Sequence, residues 1–217
     1  MPAESKAMLK QRCGRIVAIL KRSYPKAKCS LDFVDPLELL VSTILSAQCT
    51  DVRVNIVTKD LFKKYRTAAD FANASQAELE QAVRTTGFFR NKAKALRGSG
   101  KAIVERFGGK VPDTMDDLLS LPGVARKTAN VVLGNAFGKS VGVVVDTHVT
   151  RLSGRLKLTR SDKPVKIERD LMEIVPREDW TLLSHLMIFH GRAVCTARKP
   201  DCAGCQLNKL CPSAFKV

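Results

Sequence analysis

No run of apolar residues in this chain is long enough to cross a membrane. Stretches such as Val141 to Val145 fall far short of the roughly 20 residues that a helical span requires, which excludes an integral membrane protein of the helical kind. The basic segment Met1 to Ser23 contains Glu4 and lacks an apolar block followed by a small-residue cleavage site, so no secretory leader is expected. Alternation of apolar and polar residues, the mark of a half-buried strand, is missing too, as are internal repeats and low-complexity linkers. Acidic residues are in short supply: 21 against 37 Lys and Arg, a formal net charge of +16. On a small chain that imbalance points to a polyanionic partner, of which nucleic acid is the commonest. A merely basic, solvated surface is the plainer alternative.

What is present is a globular chain of 217 residues, long enough for one large domain or two small ones sharing an interface. Its hydrophobic fraction of 45% argues against wholesale disorder. Leu9, Cys13, Ile16, Val17 and Leu20 recur at helical spacing, so the N-terminal segment is expected to be an amphipathic helix of the mature fold. Asp35-Pro36-Leu37-Glu38 places an N-cap acid, a Pro at the first helical position and a Glu at the third. Ser75-Gln76-Ala77-Glu78 repeats the capping pattern and predicts a helix that stops at Gly87. Further helices are predicted from near Arg90 to Gly108, from Thr114 to Leu121 and from about Val124 to Phe137. Others follow over Asp146 to Arg155, Pro164 to Ile174 and Glu178 to Ala193. The fold class is all-α.

Seven cysteines are unevenly placed: Cys13, Cys29 and Cys49 are scattered, whereas Cys195, Cys202, Cys205 and Cys211 crowd into the tail as C-x6-C-x2-C-x5-C. With no secretion signal, such clustering reads as a metal site and not a disulfide framework. Four thiolates in that compass suit zinc or an iron–sulfur cluster, and spacing alone does not choose between them. The scattered three are read as small core residues.

Between two predicted helices lies Leu121-Pro122-Gly123-Val124-Ala125-Arg126-Lys127. Pro and Gly force a tight reversal and the next helix begins at once, leaving free backbone N–H groups that suit a phosphate. A Pro-Gly turn is weak evidence by itself; the pair Arg126-Lys127 strengthens it. Cations in a first helical turn oppose the helix dipole, at a cost of a few tenths to about 1 kcal/mol. Lys127 lies two residues, about 200°, from the stripe begun by Ala129, so it does not serve the core. An exposed lysine touching phosphate is the simpler reading. Asp146, after Val143-Val144-Val145, reads by default as a helix N-cap.

LPGVARKTANVVL followed by VDTH closely resembles the helix–hairpin–helix DNA glycosylases, and specifically the endonuclease III family. The resemblance extends from about Leu39 to Cys211. It implies a helix–hairpin–helix glycosylase fold: a helical barrel over residues 29–139 containing the hairpin motif at about 115–134, and a second helical domain from residues 1–28 and 140–217 with a cluster loop at 195–211. It implies that Lys127 is a nucleophile and Asp146 its electrostatic partner, facing one another across a cleft in which DNA lies. Cys195, Cys202, Cys205 and Cys211 are then the ligands of one 4Fe-4S cluster, a structural staple presenting the basic loop residues Arg198 and Lys199. Gly123, Ala125 and Arg126 are the expected phosphate-binding positions; Ala125 stands where the family often has a second glycine, which requires that the backbone there avoid positive φ.

Two further segments match the family. Ser46-Ala47-Gln48-Cys49-Thr50-Asp51 resembles its SAQ-x-TD segment, which makes Gln48 the residue that fills the space left by a flipped nucleotide. Gly87-Phe88-Phe89-Arg90-Asn91-Lys92-Ala93 matches the loop that wedges an apolar side chain beside the lesion, placing Phe88 there. From the residues alone, Gln48 could equally cap a helix and Phe88 could be core. His148, His185 and His190 are given no catalytic role. The implied enzyme is a bifunctional glycosylase and AP lyase of base excision repair, acting as a monomer on double-stranded DNA with damaged pyrimidines or abasic sites. It is expected in the cytoplasm, on the nucleoid if bacterial or archaeal. Adenine-mismatch glycosylases share the cluster but normally lack the motif lysine; 8-oxoguanine glycosylases keep the lysine but usually lack the cluster. A non-enzymatic DNA-binding redox sensor is the reading from another class, disfavoured by Lys127 together with Asp146.

Overall fold

The structure, a computed structural model, describes residues 4–217; residues 1–3 of the expected N-terminal segment lie outside it. Every regular element among the described residues is helical. In chain order the α-helices are α1 (Lys6–Ser23), α2 (Pro36–Leu45), α3 (Asp51–Lys64), α4 (Ala68–Asn73), α5 (Gln76–Ala82), α6 (Phe89–Phe107), α7 (Met115–Leu119), α8 (Arg126–Ala136), α9 (Thr147–Arg155), α10 (Pro164–Ile174) and α11 (Trp180–Ala193). The chain divides into two compact units, one of Cys29–Lys139 and one of Met1–Lys28 with Ser140–Val217.

The Cys29–Lys139 unit is organised around α2 and α6. The Asp35 carboxylate accepts a hydrogen bond from the Glu38 amide at 2.9 Å, and the Glu38 carboxylate accepts one from the Val34 amide at 2.8 Å, so the capping signature forms as expected. Beyond that cap, Leu39 through Leu45 are all buried. A helix buried on every side belongs at the centre of its unit, and α2 packs against α3, α6 and α8. α6 buries one stripe, Lys92, Ala93, Leu96, Ser99, Gly100 and Ile103. It approaches α4 so closely that a Cβ on Gly100 would stand 2.7 Å from the Ala68 carbonyl oxygen.

The other unit has a core of Ile16, Leu20, Leu152, Leu171, Leu183, Leu186 and Met187 drawn from α1, α9, α10 and α11, with Cys195, Cys205 and Cys211 packed on its border. Val143–Val145 are buried but form no strand.

Several boundaries differ from expectation. The helix begun at Ser75 ends at Ala82, and a 3-10 turn over Arg84–Thr86 follows. The Thr86 hydroxyl donates to the Val83 carbonyl at 2.8 Å, a local bond that competes with α-helical pairing. α8 begins at Arg126 and not Val124, because the Val124 amide is bound to the Leu121 carbonyl within the hairpin. α11 begins at Trp180, after a 3-10 turn over Arg177–Asp179. Helices α3 and α4 had no counterpart in the sequence reading. α4 nonetheless carries a capping box in which Thr67 and Asp70 each bond the other's backbone.

Candidate functional site

α7 and α8 flank the hairpin. Gly123 takes φ +78°, a left-handed conformation that glycine adopts without strain, and a Cβ there would stand 2.6 Å from the Ala95 Cβ on α6. The Ser99 hydroxyl, also on α6, donates to the Pro122 carbonyl at 2.7 Å. Ala125, the N-cap of α8, lies at φ −97° and ψ 169°, extended backbone in which its methyl group meets no penalty. No side chain caps this end of α8. A helix N-terminus without a side-chain cap is the arrangement that suits phosphate. Arg126 and Lys127 are exposed in the first turn, while Thr128, Ala129, Val132 and Leu133 turn inward. Gly123, Ala125, Arg126 and Lys127 thus share one hairpin.

Gln48 and Phe88 stand on two loops of the same unit. Gln48 is exposed, between α2 and α3, with φ +52°. Phe88 immediately precedes α6, with φ +49°, and is 63% exposed. A side chain other than glycine costs about 1–2 kcal/mol in the left-handed region, and an exposed phenyl ring forgoes burial as well. Two such residues on loops with no packing return are the pattern of a site kept for something other than stability. The loops are joined from beneath by Lys92, whose ammonium donates to the Leu45 carbonyl at 2.8 Å and to the Thr86 carbonyl at 2.7 Å. Sequence reading passed over this lysine. The signal available was its place on the apolar stripe of α6, four residues before Leu96.

Asp146 lies in the other unit, half-buried as the N-cap of α9, where its carboxylate accepts the Val149 amide at 2.8 Å. The plain reading of Asp146 as a cap is therefore correct, whatever further role it has. His185 on α11 lies close enough to feel it: burial pushes the imidazole below the ordinary histidine range, and the Asp146 carboxylate opposes that shift. His148 is within 3.1 Å of the Arg151 guanidinium, which also donates to the Gly191 carbonyl at 3.0 Å, in keeping with a structural part.

The four tail cysteines are free thiols lining one cavity, partly open to solvent. Burial pushes the Cys205 thiol up, and the other three thiols push in the same direction, so the sulfurs act on one another electrostatically. Among the described residues no three His, Cys, Asp or Glu side chains converge on the position of a single ion. Thiols ringing open space fit a compact multi-atom group held at its corners.

The surroundings supply donors. The Arg155 guanidinium donates to Cys195 Sγ at 3.3 Å and to the Thr196 and Ala197 carbonyls at 2.7 and 2.8 Å. The Leu207 amide donates to Cys205 Sγ at 3.4 Å. His190 stands with Nε2 at 3.5 Å from Cys205 Sγ and Nδ1 at 3.0 Å from the Tyr24 hydroxyl. Arg198 and Lys199 are exposed on the loop between the first two cysteines. Neither Arg155 nor Tyr24 was singled out in the sequence, since both meet the cysteines only through folding.

Residues 41–177 match the family of HhH-GPD superfamily base excision DNA repair proteins. Endonuclease III of Synechocystis sp. is 58% identical over 208 residues, 96% of this chain and 95% of that protein. Endonuclease III of Bacillus subtilis is 48% identical over 194 residues, 89% of this chain and 88% of that one. A solved structure of a trapped endonuclease III–DNA covalent intermediate superposes with a TM-score of 0.90 at 44% identity, covering 94% of this chain and 96% of its own.

Proposed function

The chain belongs to the HhH-GPD superfamily of base excision DNA repair proteins, within its endonuclease III family, and from that premise we propose that it excises damaged pyrimidines with Lys127 as nucleophile. It is a DNA glycosylase and AP lyase. The observation that carries the assignment of Lys127 is its exposure in the first turn of a helix with no side-chain cap, off the buried stripe. A cation there opposes the helix dipole and serves no packing. The relative of known structure was trapped as a covalent intermediate with DNA, as an amine nucleophile requires.

In this reaction the damaged nucleotide is turned out of the duplex, because its glycosidic carbon is unreachable in the stack. The lone pair of the Lys127 amine bonds to C1′ as the bond from C1′ to the base breaks, and the base leaves with that electron pair and takes up a proton. The Asp146 carboxylate stabilises the positive charge that develops on the sugar. Loss of a proton from the nitrogen and opening of the ring leave an imine between Lys127 and C1′. Removal of a C2′ proton then expels the 3′ phosphate, a β-elimination that cuts the strand. The uncapped amides after Gly123, with Arg126, hold the phosphate backbone, and Arg198 and Lys199 add sequence-independent contacts. Gln48 fills the vacated position and Phe88 wedges beside it.

Cys195, Cys202, Cys205 and Cys211 hold a 4Fe-4S cluster in this reading, a cross-link for the C-terminal loops that takes no part in the bond changes. The partner is duplex DNA bearing oxidised pyrimidines or abasic sites, met by a monomer in the cytoplasm.

Borohydride reduces an imine to a stable amine, so incubation with thymine-glycol or abasic duplex and borohydride gives a covalent protein–DNA adduct. Lys127→Gln loses both adduct and strand cleavage while still binding DNA. An adduct at wild-type yield in Lys127→Gln would identify another amine as the nucleophile.

A further inference from the structure

Lys92 takes no part in those bond changes, yet it is only 5% exposed and sits on the core stripe of α6. Burial pushes its ammonium below the ordinary lysine range, with Cys49 acting in the opposite sense. A buried cation is costly unless specific acceptors compensate it. The acceptors recorded for it are two backbone carbonyls, Leu45 at 2.8 Å and Thr86 at 2.7 Å.

Those carbonyls mark two exits from regular structure. Leu45 is the last residue of α2, where carbonyls lack helical partners and a cation is favoured by the helix dipole. Thr86 ends the 3-10 turn that leads into Gly87-Phe88. Three residues beyond Leu45 lies Gln48 at φ +52°, and two beyond Thr86 lies Phe88 at φ +49°. One tetrahedral ammonium, with three donors at a single point, therefore ties the roots of two loops whose tips are both held in the left-handed region. An apolar side chain of the same length would fill the space equally well. What it could not do is bond both carbonyls.

We propose that Lys92 is a positioning residue for lesion extrusion, holding the Gln48 and Phe88 loops at a fixed separation so that both side chains enter the duplex as one unit. The inference rests on the reading of Gln48 and Phe88 as the residues that meet the opened duplex.

The test compares one lesion in two settings, using the full chain with its metal centre intact. In a fully paired duplex the protein must open the stack; in an unpaired bubble that work is already done. Lys92→Met keeps the volume and removes the donors. It is expected to slow single-turnover base release from the paired duplex by about 10- to 100-fold, the scale that misplacement by about 1 Å produces. On the bubble the loss is expected to stay within about 3-fold, with the borohydride adduct at wild-type yield. Fluorescence of 2-aminopurine beside the lesion, read in a Lys127→Gln background, is expected to rise less when Lys92→Met is added.

Equal loss on both substrates would show a merely structural lysine, and no loss on either would show that the loops need no tie; each result overturns the proposal. If Lys92→Met does not fold, Lys92→Leu, also apolar and without a donor, is put through the same comparison with the same criteria. Wild-type protein that releases no base from either substrate and forms no adduct refutes the functional reading itself. An active wild type beside an unaffected Lys92→Met refutes only the role of Lys92.

Discussion

Gly123→Ala tests the hairpin at the position where two independent costs can be separated. The first is conformational: at φ +78° an alanine is about 1–2 kcal/mol worse than glycine. The second is steric, because the new Cβ would stand 2.6 Å from the Ala95 Cβ, and overpacking of this kind costs about 1–3 kcal/mol. Together they predict a loss of about 2–5 kcal/mol. For a chain of this size that lowers the melting temperature by roughly 4–20 °C.

Ala95→Gly removes the obstructing methyl group at its own cost of about 1 kcal/mol in a helix interior. The double variant should then recover the steric part alone, a favourable coupling of about 1–3 kcal/mol in a double-mutant cycle followed by thermal or urea denaturation. If the hairpin amides contact phosphate as proposed, binding to undamaged and abasic duplex should weaken together in Gly123→Ala, since such contacts do not read sequence. A coupling of zero, or a Gly123→Ala protein as stable as wild type, would refute the packing of the hairpin on α6 described above.

Purified protein should contain iron and acid-labile sulfide in equal amounts, and Cys202→Ala should lose both together with the thermal stability of the C-terminal region, since metal binding and folding are coupled. Stoichiometric zinc without iron in anaerobically prepared protein would contradict the cluster. Asp146→Asn should fold as well as wild type, because asparagine caps a helix as well as aspartate does, yet release base more slowly while acting nearly normally on abasic DNA, where no base must leave. Asp146→Ala should also lose about 0.5–2 kcal/mol of stability with the cap; if Asp146→Asn matched wild type in single-turnover base release, the carboxylate would be a cap and nothing more.

The parts of this molecule that sequence reveals are those whose cause and effect lie within one helical turn. The Asp35–Glu38 cap, the Pro122-Gly123 reversal and the Asp146 cap each join residues no more than three apart, so residue type at fixed spacing suffices. α3 and α4 were open to the same reading, through Thr50 and Thr67 as caps, and were missed. The early end of α5 was not foreseeable from Gly87 alone, because the competing bond is made by the Thr86 hydroxyl. Contacts over long separations are a different matter. Lys92 meets Leu45 across 47 residues and Arg155 meets Thr196 across 41, and neither pairing leaves a periodic trace in the chain.

What does leave a trace is conflict between a residue and its local setting. Lys127 puts a cation where the helix dipole opposes it, Phe88 puts an exposed ring in the left-handed region, and Lys92 puts an ammonium on an apolar stripe. Each is unfavourable for the element that carries it, and all three lie within the Cys29–Lys139 unit. α6 and its contacts connect them: it begins at the Phe88 loop, carries Lys92, and three to seven residues further on meets the hairpin through Ala95 and Ser99. The periodicity of that helix therefore does more than bury a stripe. It sets the hairpin with Lys127 and the two loop tips in fixed register along one rigid rod, as the proposed reading requires if Lys127 as nucleophile and Phe88 as wedge are to act on the same nucleotide.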